Sequence, residues 1–318
     1  MIKVKLFKRL LIGIGIGFIS LLVIIYLYGY KLNIYLIPPS PQKYVAVALE
    51  KMEESGTYSE SKAWKEIKTK TLEKTKDAST YSEALPSLEE AIKVAGGKHS
   101  FIETSQTQFD HSEKFEPKAE VEQETLYLTV PEFTGTQVEA NEYANILESA
   151  LHQDNYTTIM IDLRGNRGGN MTPMILGLSA LLPDGKLFEY IDKKQNTKSV
   201  DLSAGKLNSG GAAIELKNTH KINNKSIAIL IDENTGSSGE LTAICFKGLP
   251  NVKFFGSNSA GYTSANQEVY LYDGARMQLT TAFIRDRSGS VYQNVPICPD
   301  IHTTESKQAA LTWLNHKN

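Results

Sequence analysis

The chain has 318 residues, 41% hydrophobic and 22% charged, with a formal net charge of -2. That is enough apolar material for one sizeable core plus a smaller helical element, and it provides no concentrated positive face, so nucleic acid is not an expected partner. Two cysteines, Cys245 and Cys298, are too few for a disulfide framework and lie in no Cys/His array suited to zinc. Two small buried side chains are expected, with a single bridge as the other option in an oxidising compartment.

Residues 1–9 form a basic tail with Lys3, Lys5, Lys8 and Arg9, followed at 10–30 by an uncharged apolar run. That run is long enough to cross the roughly 30 Å hydrocarbon core of a bilayer as a helix. The positive cluster should stay cytoplasmic and Tyr26, Tyr28 and Tyr30 should sit at the far interface, leaving the rest of a single-pass chain outside the cell membrane. A cleavable signal peptide would have a shorter apolar region and a small-residue cleavage site, whereas this run meets Tyr and Lys, so an uncleaved anchor is expected. Gly13, Gly15 and Gly17 lie inside the run and not after a strand, which removes the context for a phosphate-cradling loop.

Pro38, Pro39 and Pro41 stiffen a linker at 31–41. The pattern from 42 to 95 predicts a helical subdomain of three segments, with Ser61 and Thr80 as N-caps at the breaks. Its Lys/Glu-rich surface reads as a solvated face; packing element, lid and assembly surface are equally open roles. After Gly96 and Gly97 the pattern becomes α/β, with strands predicted in TLYLTV, TTIMIDL, SIAILID and VKFFG. A hairpin is expected around Asp273 and Gly274, and a second turn at 287–289. The expected core domain is 96–318.

Three segments carry candidate chemistry. In SIAILIDENTGSSGELTAICF an apolar strand runs through a Gly/Ser turn into a helix, where a serine is held rigidly and a backbone N–H can face an anion. Taken alone, Ser237 or Ser238 simply capping the helix is the far commoner reason for serines in such a turn. In TTIMIDLRGNRGGNMTPMI a strand opens into RGNRGG, whose glycines let a backbone amide approach a ligand; a plain loop or an RGG fragment are the bland alternatives. In AGGKHSFIE, His99 is a candidate general base, in competition with His111, His152, His220, His302 and His316.

Together, DLRGNRGGN at 162–170, TGSSGE at 235–240, FFGSNSAGYTS and the final PICPDI resemble, in order and spacing, the C-terminal processing, or tail-specific, serine protease family. The resemblance implies a ClpP/crotonase-like spiral β-sheet core of α/β class behind the helical subdomain and anchor. It makes Ser237, three residues before Glu240, the nucleophile, and the amides of Ser238 and Gly168 the oxyanion donors. Arg164, Asn166 and Gly169 complete the supporting loop. One branch of the family activates its serine with a lysine 25 residues downstream; here Tyr262 stands there, and only Lys247 or Lys253 remain as substitutes. The tricorn-core-like branch uses a histidine in a G-x-H-[ST] setting, which KHS at 98–100 resembles, so His99 becomes the implied base. That branch's acidic orienting residue falls on Gln293, counting back from Pro299 and Asp300, with Glu268 as an alternative. A PDZ domain of roughly 80–100 residues has no room between Ile102 and Thr125.

The function so implied is peptide-bond hydrolysis through an acyl-enzyme, on a peptide or protein substrate, with no metal or organic cofactor. A catalytically weak or inactive homologue that binds peptides or a cell-envelope partner is the alternative, with an esterase or small-ligand binder on the same scaffold as a third. The oligomeric state is not indicated.

Overall fold

A computed structural model describes residues 2–104, 116–209 and 211–316, with side chains from Leu11 onward. His111 therefore lies outside the described residues. The chain forms two compact units, one of residues 1–108 with 266–280 and the other of 109–265 with 281–318.

The first unit begins with helix α1 (Ile2–Tyr28) and a 3-10 turn at Gly29–Leu32. An apolar helical span at Leu11–Leu32 has a mean hydropathy of 2.5 and is unburied except at Gly29, as a bilayer-crossing segment or a signal sequence would be. Three amphipathic helices follow: α2 (Pro41–Ser55), α3 (Lys62–Lys74) and α4 (Tyr81–Gly96). Ser61 and Thr80 cap α3 and α4, their hydroxyls accepting from the Trp64 and Glu83 N–H groups. Pro41 is not a spacer residue but the first residue of α2, behind Ser40 as N-cap, where its missing N–H costs nothing. Strand β1 (Phe101–Glu103) closes this stretch.

The second unit opens with β2 (Lys118–Glu122), β3 (Thr125–Thr129), α5 (Gln137–Leu151), β4 (Thr158–Asp162) and α6 (Met171–Gly177). A meander of β5 (Gly185–Asp192), β6 (Thr197–Ser203) and β7 (Lys206–Leu207) comes next. Then come β8 (Ile227–Ile231), α7 (Ser238–Ile244) and β9 (Val252–Gly256). Strands β10 (Ser264–Tyr270) and β11 (Arg276–Asp286) form the expected hairpin, whose turn carries Gly274 at φ +83°. The chain finishes with β12 (Val291–Tyr292), β13 (Ile301–His302) and α8 (Ser306–Asn315).

Most of β10, the hairpin tip and the first part of β11, residues 266–280, belong to the helical unit. There Leu271, Ala275, Met277 and Leu279 join Tyr44, Leu49, Met52, Trp64, Leu88 and Ile92 in one apolar core, and β1 pairs antiparallel with Arg276–Gln278. In the second unit the later part of β11 pairs with β5. Its main sheet has the order β13-β9-β8-β4-β3-β2, parallel except for the β2–β3 pair. Every residue of β4 and β8 is buried because both faces are covered. Ile159, Ile161, Ile227, Ile229 and Ile231 pack among Leu147, Met174, Ile244 and Phe246, while Met160, Ala228 and Leu230 pack with Ala310 and Leu314 of α8. This double cover fixes the ends of β4 and β8, from which the two motif turns emerge.

Candidate active site

Because β4 and β8 are parallel neighbours, their C-terminal turns, at 163–170 and 232–237, open at the same sheet edge. Ligand sites of open α/β sheets lie at such edges. The turns are tied together by backbone and buried side chains. The Gly236 N–H donates to Asn166 O at 2.8 Å, and the Gly165 N–H to Asp232 Oδ1 at 3.0 Å. Thr235 Oγ1 donates to Leu163 O at 2.9 Å, and Ser238 Oγ to Gly169 O at 2.5 Å. Asn166 is fully buried; its Nδ2 donates to Val130 O at 2.8 Å and its Oδ1 accepts the Gly168 N–H at 2.9 Å.

At the junction of turn and helix, Ser237 adopts φ +50°, ψ -119°. For a residue with a side chain that conformation costs on the order of 1–3 kcal/mol and persists only where surroundings impose it. Glu240 imposes it. Fully buried, it takes the Ser237 N–H (3.0 Å) and Tyr262 N–H (2.7 Å) on Oε2, and the Gly261 N–H (2.8 Å) and the Ser259 hydroxyl on Oε1. Burial pushes the Glu240 carboxyl up, and the four donors oppose that shift. On the other side of Ser237, a methyl group built on Gly168 would stand 2.8 Å from Ser237 Cβ and 3.0 Å from the Ser238 nitrogen. Only glycine lets that backbone lie against the serine. The Ser238 N–H, first of the helix, has no acceptor among the described residues.

These contacts bring together Ser237, Ser238, Gly168, Gly169, Asn166 and Glu240. Arg164 belongs to the same turn, but its guanidinium grips Asp162 (Nε to Oδ1, 2.8 Å; Nη2 to Oδ2, 2.6 Å) and donates to Ser306 Oγ at 3.2 Å. It therefore ties β4 to the start of α8.

His99 lies in the first unit, in a turn closed by the Ser100 N–H on Gly97 O at 3.0 Å. A relay pins the backbone there. Ser100 Oγ donates to Thr280 Oγ1 (3.1 Å), Thr280 Oγ1 to Asn266 Oδ1 (2.7 Å), and Asn266 Nδ2 to His99 O (2.7 Å). Burial, with a smaller contribution from the Lys98 charge, pushes the His99 imidazole down to about 4. At neutral pH the ring is thus in the neutral form that a general base requires.

Gln293 is exposed in the segment after β12. Glu268 is engaged on the hairpin surface by Arg276 Nη1 (3.2 Å), Gln278 Nε2 (2.8 Å) and Tyr270 Oη (3.1 Å). Lys247 donates to Cys298 O at 3.2 Å and lies 3.8 Å from the Phe254 ring centroid; Lys253 is a half-buried residue of β9. Both cysteines are free. Cys245 is buried as expected, but Cys298 is exposed, because the PICPD segment runs along the end of β9 with alternate residues turned outward. Among the described residues, no group of three or more His, Cys, Asp or Glu is arranged to hold a metal.

Sequence reading missed Asp232, Ser259, Asn266 and Thr280. Only Asp232 left a signal, since Asp followed by Thr three residues later at a strand end is a turn-forming pattern. The other three act across long sequence separations.

The model of peptidase family S41 matches residues 124–303. The chain is also 56% identical over 312 residues to the nisin-resistance protein of Lactococcus lactis subsp. lactis, covering 98% of each. This chain belongs to peptidase family S41. A solved lipoprotein structure from Streptococcus agalactiae is 36% identical, with a TM-score of 0.78 over 90% of this chain and 99% of that one. The photosystem II D1 C-terminal processing protease, at 12% identity, shares the fold, with a TM-score of 0.57 over 84% of this chain and 94% of that one. The mixed α/β architecture is that of the S41 peptidases, and the expected kinship with C-terminal processing proteases holds.

Proposed function

We propose that this S41 member is a serine endopeptidase anchored in the cell membrane by its N-terminal helix and acting outside it, with Ser237 as nucleophile and His99 as general base. His99 takes the Ser237 proton as Oγ attacks the peptide carbonyl carbon, and the proton then passes to the leaving amine. The Ser238 N–H faces the oxyanion; Gly168 is the second proposed donor, its N–H shared with Asn166 Oδ1. A water then attacks the acyl-enzyme, with His99 again as base, and releases the product. Gln293 is the proposed orienting partner of the imidazole, accepting its N–H without charge.

The observation that carries this reading is the strained Ser237 backbone, buttressed by Glu240 on one side and Gly168 on the other. Strain of this kind clusters at active sites. The likeness to a protein named for nisin resistance extends the proposal to nisin, or a peptide like it, as substrate.

The test is Ser237→Ala in the full-length protein. Labelling by a fluorophosphonate, cleavage of nisin read by mass spectrometry, and protection of cells against nisin should all vanish; a variant that still labels or cleaves removes Ser237 from its role. Wild-type protein that never labels supports the binding-protein alternative, which the exposure of Gln293 and Tyr262 at the lysine position favour. An intact N-terminus in the membrane fraction is expected, and a mature chain lacking the apolar run refutes the anchor.

A further inference from the structure

One side chain beside the nucleophile has no part in the mechanism above. Tyr262, in the loop that follows β9, keeps 37% of its surface exposed, although it sits against a buried turn. A methyl group built on Gly236, the residue before Ser237, would lie 3.4 Å from Tyr262 Cδ2 and 3.4 Å from Ala260 Cβ. The ring edge and the alanine methyl thus flank the backbone that presents the nucleophile.

The loop is held firmly. The Tyr262 N–H and the Ser237 N–H end on the same oxygen, Oε2 of Glu240. The Ala260 N–H donates to Thr235 O at 2.9 Å, and Ser259 Oγ accepts the Ile297 N–H at 2.7 Å. These bonds fix the loop backbone that carries Tyr262, and an aromatic side chain mounted on a fixed backbone supplies a large apolar area at a modest conformational cost.

We propose that Tyr262 is a specificity-determining residue: its ring forms an apolar wall beside Ser237 that favours peptides with an apolar side chain next to the bond being cut. The proposal rests on the serine peptidase reading. The Glu240 carboxylate serves as the common hinge pin, setting the distance from wall to nucleophile. Where the lysine-using branch places a base, this chain places a recognition surface.

The experiment uses the full-length protein in detergent micelles, with Tyr262→Ala and Tyr262→Phe variants. Two unstructured peptides differing only in Leu or Asn beside the cleaved bond are compared by kcat and KM, and a small fluorophosphonate reports the reactivity of Ser237. The wild type should prefer the Leu peptide. Tyr262→Ala should lower that preference about tenfold, mainly through KM, the size expected for one apolar contact. Its labelling rate should stay at the wild-type value, and Tyr262→Phe should behave as wild type. A wild type without preference, or a Tyr262→Ala variant that keeps it, overturns the proposal. So does a Tyr262→Phe variant that falls with Tyr262→Ala, since the hydroxyl would then be what matters, and so does a parallel loss of labelling and of both cleavages, which marks a structural role. Wild-type protein that neither labels nor cleaves refutes the peptidase reading itself, and the wall with it.

Discussion

Protonation of His99 is the perturbation whose size the structure fixes most directly. Burial displaces the imidazole from 6.5 to about 4, with Lys98 contributing in the same direction. A general base works only while neutral, so kcat/KM should hold its plateau well below pH 6 and fall to half near pH 4. The same displacement governs stability. The unfolded chain binds a proton near pH 6.5 that the folded chain refuses until about pH 4, so the contribution is complete above 6.5 and is lost as pH falls from 6.5 to 4. It amounts to about 3 kcal/mol at 1.36 kcal/mol per pH unit. The assays are kcat/KM against pH with a peptide whose own groups do not titrate there, and urea unfolding of wild type and His99→Gln across the same range. Lys98→Ala should move the acid limb upward by a fraction of a unit only, because the neighbouring charge is the lesser cause. An acid limb at pH 6.5, or an unfolding difference independent of pH, refutes the reasoning.

Asn166→Ala leaves the Gly168 N–H and the Val130 carbonyl without partners in a buried site. At about 1–3 kcal/mol for each group, Tm should fall by at least several degrees in a thermal melt, and the labelling rate of Ser237 should fall with it. Gly239→Ala puts a methyl group 2.6 Å from Asn166 O, so overpacking of about 1–3 kcal/mol should force the two turns apart and slow fluorophosphonate labelling. Gly274→Ala, at φ +83° with no atom within 4 Å of the new methyl, should cost about 1–2 kcal/mol and leave the labelling rate alone.

Local chemistry made part of this molecule legible in advance. The caps at Ser61 and Thr80, the buried strands β4 and β8 and the Asp273–Gly274 turn are decided by residues within one helical turn or one strand of each other. The Gly/Ser turn could be read as a strand-to-helix junction, but not as strained, since the strain depends on a carboxylate whose other partners lie about twenty residues away. The resemblance assigned Asn166 to the supporting loop, but its hold on Val130 left no local signal, because that partner comes from a different strand end. The hairpin around Asp273 and Gly274 was legible, but nothing local told which core its apolar side chains would join. Cys298 was misjudged for a similar reason: a small sulfur side chain suits a core, yet its position in an extended segment turns it outward.

Strand β11 gives its first residues to the helical unit and the remainder to the sheet unit. Neither unit is therefore an unbroken stretch of polypeptide. A fragment ending near residue 108 would lack Leu271, Ala275, Met277 and Leu279 and would expose the apolar helix faces they cover. The two halves cannot be traded between relatives by recombination at one junction, as beads on a string can.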